Sequence, residues 1–314
     1  MRPIGIVATA SIDVPFSPRR PSPWRLLVWA LVALAAVFFL VPIVWLVLES
    51  TRPAPGGFVG HPLGFGSFRL VVVWWQALFS GSAVGGSTFA WLENSALYSG
   101  SGVLIAVALG LPAGYGLATL EFVGRRLLLI LTMIAMLIPS NALVLPLVLE
   151  ANTVHMLGSP FAVILPYGLF PFGVYMAYLY FNTPQMHHLI ASARIDGCTE
   201  WQSFRRVALP LSMPVIGLIV LLDFVASWTN YFLPFLMYSP WNTTGRYPVA
   251  LGIAQQLMAG STLGNYVGNL QLQTVAPAPE AAMLLLVTAV PPVLVLVIAQ
   301  RWIISGRLGG VLGA

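Results

Sequence analysis

The sequence contains no lysine: all 14 basic residues are arginine. That absence excludes two chemistries. A phosphate-binding loop of the G-x-x-x-x-G-K-[ST] type needs its lysine, so the chain is not itself a P-loop ATPase. A Schiff-base mechanism needs one too. There is one cysteine, Cys198, which rules out a disulfide within the chain and any Cys-rich metal framework. The four histidines, His61, His155, His187 and His188, are scattered except for the last pair. Neighbouring histidines on a helix point about 100° apart, which argues against a shared metal. No His, Cys, Ser and acid constellation gathers at one depth, so neither a catalytic residue nor a metal or cofactor site is expected. Charge is also scarce. Only 7% of residues are charged, against about 25% in soluble domains, while 58% are hydrophobic. This is the composition of a polytopic membrane protein. The apolar runs are continuous rather than alternating, so helices are expected, not a barrel.

A spanning helix needs about 20 apolar residues. Residues 1–25 carry Pro, Ser and Arg without an apolar core and read as a cytoplasmic tail, not a signal peptide. A first span is expected over 26–48, and an outside segment over 49–89. Further spans are expected at about 94–120, 127–149, 160–182, 211–236 and 281–303, with a cytoplasmic tail at 304–314. Leu70–Leu92 is also free of charge, but its middle, Gly81–Thr88, is poor helix material. Phe68–Phe79 alone is too short to span. It reads as an interfacial helix, with Trp74 and Trp75 at headgroup level.

Arginine placement sets the direction. With six spans and the N-terminus inside, Arg2, Arg19, Arg20, Arg25, Arg125, Arg126, Arg194, Arg205, Arg206, Arg301 and Arg307 are cytoplasmic. Only Arg52, Arg69 and Arg246 fall outside, which obeys the positive-inside rule. A seventh span would reverse most of them. Both termini and the loop 183–210 are therefore expected in the cytoplasm.

That loop is long for a connection between spans, and it carries two helix signatures. Thr183 is a candidate N-cap with Pro184 at the first helical position. Met186, Leu189, Ile190 and Ala193 follow on one face. Arg194 sits in the last turn, where a cation suits the helix dipole. Gly197 is placed to end the helix in a left-handed conformation. Thr199 and Gln202 form a Thr-x-x-Gln capping box for a second helix, in which Trp201, Phe204 and Ala208 share a face. On these grounds alone, an amphipathic hairpin on the bilayer surface remains an equal reading. Arg194, Arg205 and Arg206 would then meet anionic headgroups.

The segment Ala191-Ser-Ala-Arg-Ile-Asp-Gly-Cys-Thr-Glu-Trp, followed by Phe204 and Ala208-Leu-Pro-Leu, resembles the EAA loop of binding-protein-dependent ABC importers. Its R-I-D-G-[AC]-[ST]-E-W form is similar to the sugar-importing branch, in particular the shorter, maltose-type permease subunit. Trp91-Leu-Glu-Asn-Ser resembles that family's W-x-x-N-S, and Phe122-Val-Gly-Arg-Arg its F-x-G-R-R turn. Met136-Leu-Ile-Pro and Leu145-Pro-Leu resemble its M-I-P and I-P-L. Trp228-Thr-Asn-Tyr resembles W-N-[DE]-[FY], and Ala299-Gln-Arg-Trp with Gly306 the Q-R-[YF]-x-x-x-G ending. The likeness runs from about residue 90 to 310. One departure matters. The first acid of the EAA signature is Ala191 here, and the second position is Ser192, so the contact that acid makes with the ATPase is in doubt.

The resemblance implies an all-α membrane protein with six transmembrane helices and a type I ABC importer (MetI-like) permease fold. Its core would cover 90–303, with a two-helix coupling loop at 183–210. It implies docking of an ABC ATPase dimer through Leu189, Ile190, Ala193, Arg194, Asp196, Gly197, Glu200, Trp201, Phe204, Leu209 and Pro210. ATP would be bound by those partners, the chain itself carrying no cofactor and catalysing no covalent step. A second homologous permease, an extracellular solute-binding protein, membrane lipid and a small-molecule substrate, a sugar, complete the expected partners; nucleic acid is not among them. The expected location is the plasma membrane.

Asp223 is the one ionisable residue well inside an apolar run. A carboxylate there costs about 2.5–3.5 kcal/mol on insertion scales, so it faces an interface or a wet cavity, paired or protonated. With Trp228, Asn230 and Tyr231 it forms a candidate wall of the translocation path; packing and interfacial anchoring are the plainer roles. A non-sugar solute carried by the same fold, and a stand-alone secondary transporter coupled through Asp223, remain open.

Overall fold

The computed structural model describes residues 23–53, 64–79, 88–238, 244–259 and 278–311. Most of the tail expected at 1–25 therefore lies outside the described residues, as does most of Gly81–Thr88. Helix α1 (Pro23–Glu49) belongs as far as Trp45 to a unit of its own and is exposed from Pro23 to Val44. The remainder, from Leu46 on, builds a helical bundle, and no strand occurs among the described residues.

Its elements are α2 (Phe68–Phe79), α3 (Thr88–Thr119), α4 (Arg125–Leu137), α5 (Ser140–Thr153), α6 (Phe161–Gly168) and α7 (Pro171–Phe181). Then come α8 (Pro184–Ile195), α9 (Glu200–Ser203), α10 (Leu209–Leu211), α11 (Met213–Trp228), α12 (Phe232–Tyr238), α13 (Val249–Ala259) and α14 (Ala278–Val311). Among the described residues four helices or near-continuous helices have the length and apolarity to cross a membrane, and six do if each bent pair counts as one span.

Proline decides where the spans break. The continuous helix expected at 127–149 is instead two helices, α4 and α5, that meet at 103°. Ile138, the residue before Pro139, is driven out of the helical region to φ −74°, ψ 121°, because the proline ring clashes with a helical predecessor. The span expected at 160–182 is found as Phe161–Phe181, with only a local break before Pro171. Phe170 precedes Pro171 and takes φ −116°, ψ 82°. The span expected at 211–236 ends at Trp228, and Thr229–Tyr231 separates it from α12. At the C-terminus the helix does not stop near 303 but continues to Val311, since nothing in Ile304–Leu308 compels a break. Helix α3 begins at Thr88, earlier than expected, because Trp91, Ser95 and Tyr98 of its first turns are buried.

The core has two centres, one at each end of α3. Where α3 begins, Trp91 and Tyr98 pack with Tyr167, Trp228, Tyr238 and Leu284. Where it ends, Leu111, Tyr115 and Ala118 pack with Phe181, Phe204 and Ile219. The short helix α2 is tied down locally. The indole of Trp74 donates to the Arg52 carbonyl at 3.1 Å, giving it a protein partner. Arg52 pairs with the buried Glu49 at 2.9 Å.

Candidate functional site

The loop 183–210 is an elbow, and its local chemistry accounts for the shape. Pro184 opens α8, where its missing N–H removes nothing. Thr183 has the extended conformation of an N-cap, φ −77° and ψ 147°, but its hydroxyl donates to the Tyr180 carbonyl at 3.0 Å rather than accepting from the helix. That corrects its expected capping role: the last turn of α7 offers the nearer acceptor. Gly197 takes φ +84° and turns the chain. Thr199 and Gln202 form the reciprocal capping box, the Gln202 amide reaching the Thr199 hydroxyl at 3.3 Å and the Thr199 amide reaching Gln202 Oε1 at 2.9 Å. Helix α9 then passes through a π turn at Phe204–Ala208 into α10, and a bend of 73° at Ser212 leads into α11. Such π insertions often mark functional positions.

Burial divides the expected docking residues into two groups. Met186, Ile190, Phe204 and Ala208 are buried within the chain, clustered with Tyr115, Phe181, Val215 and Ile219 among others, and Ala193 is buried as well. Ile190, Ala193 and Phe204, expected in the docking set, are therefore covered within the chain, together with Met186 of the same face. The face is real, but the chain's own bundle covers it. Helix periodicity could not decide what would cover it. Leu209 is half-buried. The free surface is made by Leu189, Ile195 (86% exposed) and Trp201 (63% exposed), with Asp196, Gly197 and Pro210 exposed beside them. Ile195 was absent from the expected set. It lies two residues past Ala193, the last of the buried stripe, at the tip of the elbow.

Arg194 and Glu200 sit on either side of the turn and close it. Arg194 Nε donates to Glu200 Oε1 at 2.8 Å, and Nη2 donates to Oε2 at 3.1 Å. The fork-to-carboxylate match is the strong geometry for such a pair. The Glu200 hydrogen bond favours the charged form of Arg194 still further. Two contacts reach beyond the loop. Arg194 Nη2 donates to the Thr119 carbonyl at 3.1 Å, and Tyr115 Oη donates to Glu200 Oε2 at 3.3 Å. Sequence reading missed Tyr115 and Thr119, which lie far upstream and carry no local signal.

The residues expected along the path are placed apart from one another in role. Asp223 is 3% exposed, and its Oδ2 has no hydrogen-bond partner among the described residues. Trp228 is buried, pinned to α14 by a bond from Nε1 to the Thr288 carbonyl at 3.1 Å and stacked on Phe224. Asn230 Oδ1 accepts from the Leu233 amide at 3.2 Å and so caps the start of α12. Tyr231 is half-buried and stacks on Phe235 at 5.4 Å. An apolar groove of about 640 Å³ runs past Trp228, bordered by Trp75, Phe89, Glu93, Phe224 and Pro291. No group of three or more His, Cys, Asp or Glu able to hold a metal occurs among the described residues.

Comparison with known proteins places this geometry. The family of binding-protein-dependent transport system inner membrane components matches residues 106–308. The arabinooligosaccharides transport system permease protein AraQ of Bacillus subtilis (strain 168) is 27% identical over 295 residues, which cover 93% of this chain and 97% of AraQ. The maltose/maltodextrin transport system permease protein MalG of Escherichia coli (strain K12) is 31% identical over 238 residues, covering 71% of this chain and 72% of MalG. A chain in the crystal structure of a bacterial ABC transporter involved in the import of the acidic polysaccharide alginate superimposes with a TM-score of 0.73. It covers 92% of this chain and 99% of its own length at 17% identity, a likeness of fold. With its bent spans, its elbow loop and a family match over most of its length, the chain belongs to the binding-protein-dependent transport system inner membrane components.

Proposed function

We propose that this chain is the membrane-spanning permease subunit of an ATP-driven importer that carries a carbohydrate into the cytoplasm by alternating access. The carrying observation is the elbow at 183–210, which presents Leu189, Ile195 and Trp201 outward while its other face is anchored in the bundle. Sugar importers supply the relatives that match over most of the chain. An ABC ATPase dimer would bind ATP and grip the elbow. A second homologous permease would complete the path, and an extracellular solute-binding protein would deliver the sugar. ATP can drive such a cycle only if the elbow makes different contacts with the ATPase in the two states.

With Ala191 at the position of the family's acid, docking here rests on apolar burial. Covering a side chain the size of Trp201 is worth about 1.5–3 kcal/mol, against about 0–1 kcal/mol for an exposed ion pair. The test is uptake into proteoliposomes that hold the complete complex, with arabino- and maltooligosaccharides as probes. Uptake is expected only with ATP and the binding protein present. Uptake that proceeds without ATP, down an ion gradient, would favour the stand-alone transporter instead.

The orientation has its own test. Cys198 is the only thiol and sits at the elbow, half-buried. With the elbow cytoplasmic, a membrane-impermeant maleimide should leave Cys198 unlabelled in intact cells. It should label it in inside-out vesicles stripped of the ATPase. Labelling from the outer face would reverse the topology.

A further inference from the structure

We propose that Arg194, Glu200 and Tyr115 form a latch that makes α3 the rod carrying movement of the elbow to the opposite end of the bundle. The inference rests on the reading of 183–210 as the ATPase-docking loop. Two kinds of contact hold that loop. Met186, Ile190, Phe204 and Ala208 are held by apolar burial, which is non-directional and sets no register along the bundle. The latch is directional. Arg194 lies in the last turn of α8, Glu200 begins α9, and their forked pair spans the Gly197 turn at 2.8 and 3.1 Å. The same guanidinium also reaches the Thr119 carbonyl at 3.1 Å. Thr119 is the last residue of α3, so its carbonyl is one of those that a helix end leaves without an intrahelical donor. Tyr115, one turn earlier on α3, adds the bond to Glu200. One side chain therefore joins α8, α9 and α3.

The other end of α3 is hooked as well. Asn94 Nδ2 donates to the Gly245 carbonyl at 3.0 Å and the Tyr247 carbonyl at 3.2 Å. Tyr98 Oη donates to the Arg246 carbonyl at 3.0 Å, and Ser95 Oγ accepts from the Val249 amide at 2.7 Å. Helix α3 has 32 residues, so at about 1.5 Å per residue it spans roughly 48 Å. A displacement of the elbow that keeps the latch closed must move this rod, and with it the segment 245–249. Arg194, Glu200 and Tyr115 are positioning residues in this scheme; none touches the sugar.

The test compares ATP hydrolysis with uptake in the same proteoliposomes of the complete complex. It uses Arg194→Gln, Glu200→Gln, Tyr115→Phe and the exchange of Arg194→Glu with Glu200→Arg. The pair is solvent-exposed, so its loss should not unfold the chain. Sugar moved per ATP should fall about tenfold or more in Arg194→Gln and Glu200→Gln, within the range typical of coupling between sites. It should fall less in Tyr115→Phe, with the ATPase still co-purifying. The exchange should not restore the ratio, because a glutamate at 194 cannot donate to the Thr119 carbonyl. An unchanged ratio in Arg194→Gln would overturn the latch. So would recovery by the exchange, which marks a pair that only shapes the loop, or loss of the ATPase from the variants, which marks a docking contact. Wild-type vesicles without ATP-dependent uptake would overturn the docking reading itself, and the wild-type control tells that failure apart.

Discussion

Replacing Gly197 with valine is expected to cut uptake about tenfold while leaving the amount of protein in the membrane unchanged. Gly197 sits at φ +84° between α8 and α9. An L-residue with a Cβ pays roughly 1–2 kcal/mol for that conformation, and a β-branched one is at the upper end. Space is not the obstacle, because no described residue lies within 4 Å of where a Cβ would stand. The effect is therefore one of backbone strain alone. It orders the substitutions: Gly197→Asn should be mild, Gly197→Ala intermediate and Gly197→Val severe. A shift of one or two kcal/mol changes a conformational ratio about 5–30-fold. The chain relieves the strain by opening the turn, which parts Arg194 from Glu200 and tilts Ile195 and Trp201 away from their present aspect. The spans are distant from this turn and should insert as before. ATP-dependent uptake, normalised to membrane-inserted protein, is the measurement. Wild-type uptake by Gly197→Val would show that the elbow's angle is irrelevant to transport.

The elbow was legible in the sequence because each of its signals is local. A helix stop at Gly197, a capping box between Thr199 and Gln202, and a proline at the first turn of α8 all act within four residues of themselves. The register of burial was only half legible. Periodicity set Met186, Leu189, Ile190 and Ala193 on one apolar face, yet the structure buries Met186, Ile190 and Ala193 and leaves Leu189 outside. Four residues spread over about 100° of helix can straddle the edge of a contact, and only the partner surface decides which side each falls on. The breaks in the spans had a visible cause, since Pro139 and Pro171 stand in the sequence. Their consequence did not. A proline can bend a helix slightly or end it, and the outcome, a 103° turn at Pro139, depends on what the freed ends pack against. Tyr115 and Thr119 could not be found at all from the chain alone. Their link to Glu200 and Arg194 joins residues 85 and 75 positions apart. The contacts of the expected path residues were equally invisible in the sequence. Trp228 and Asn230 carry the polar and aromatic character that sugars favour, but in this bundle one pins α14 and the other caps α12.

If α3 is to act as a rod it must be held sideways, and Gly114 is where that support is tightest. A Cβ at Gly114 would lie 2.4 Å from the Ala177 Cβ, 2.7 Å from the Tyr178 nitrogen and 2.9 Å from the Ala177 carbonyl carbon, so α3 and α7 meet almost backbone to backbone. Small residues permit such approaches between membrane helices, where dispersion contacts and not the hydrophobic effect supply the attraction. The obstructing atoms are helix backbone, which cannot step aside as a side chain tip can. Gly114→Leu is therefore expected to force the two helices apart. Overpacking in a rigid core costs about 1–3 kcal/mol and sometimes more, and here the separation would also expose Leu111, Ala118 and Phe181 of the cluster where α3 ends. Gly116→Ala, two residues on, is the control. Among the described residues its Cβ would meet the Leu120 Cδ1 alone, at 3.8 Å, an ordinary contact. Alanine is favoured over glycine in a helix by roughly 0.5–1 kcal/mol, so this variant should be as stable as the parent or more so. Thermal unfolding in detergent separates the two: Gly114→Leu should lower the midpoint by several degrees or prevent accumulation, while Gly116→Ala should not lower it. Equal midpoints for Gly114→Leu and the parent would mean that α3 and α7 are free to part, and a rod without that lateral support could not carry the elbow's movement across the membrane.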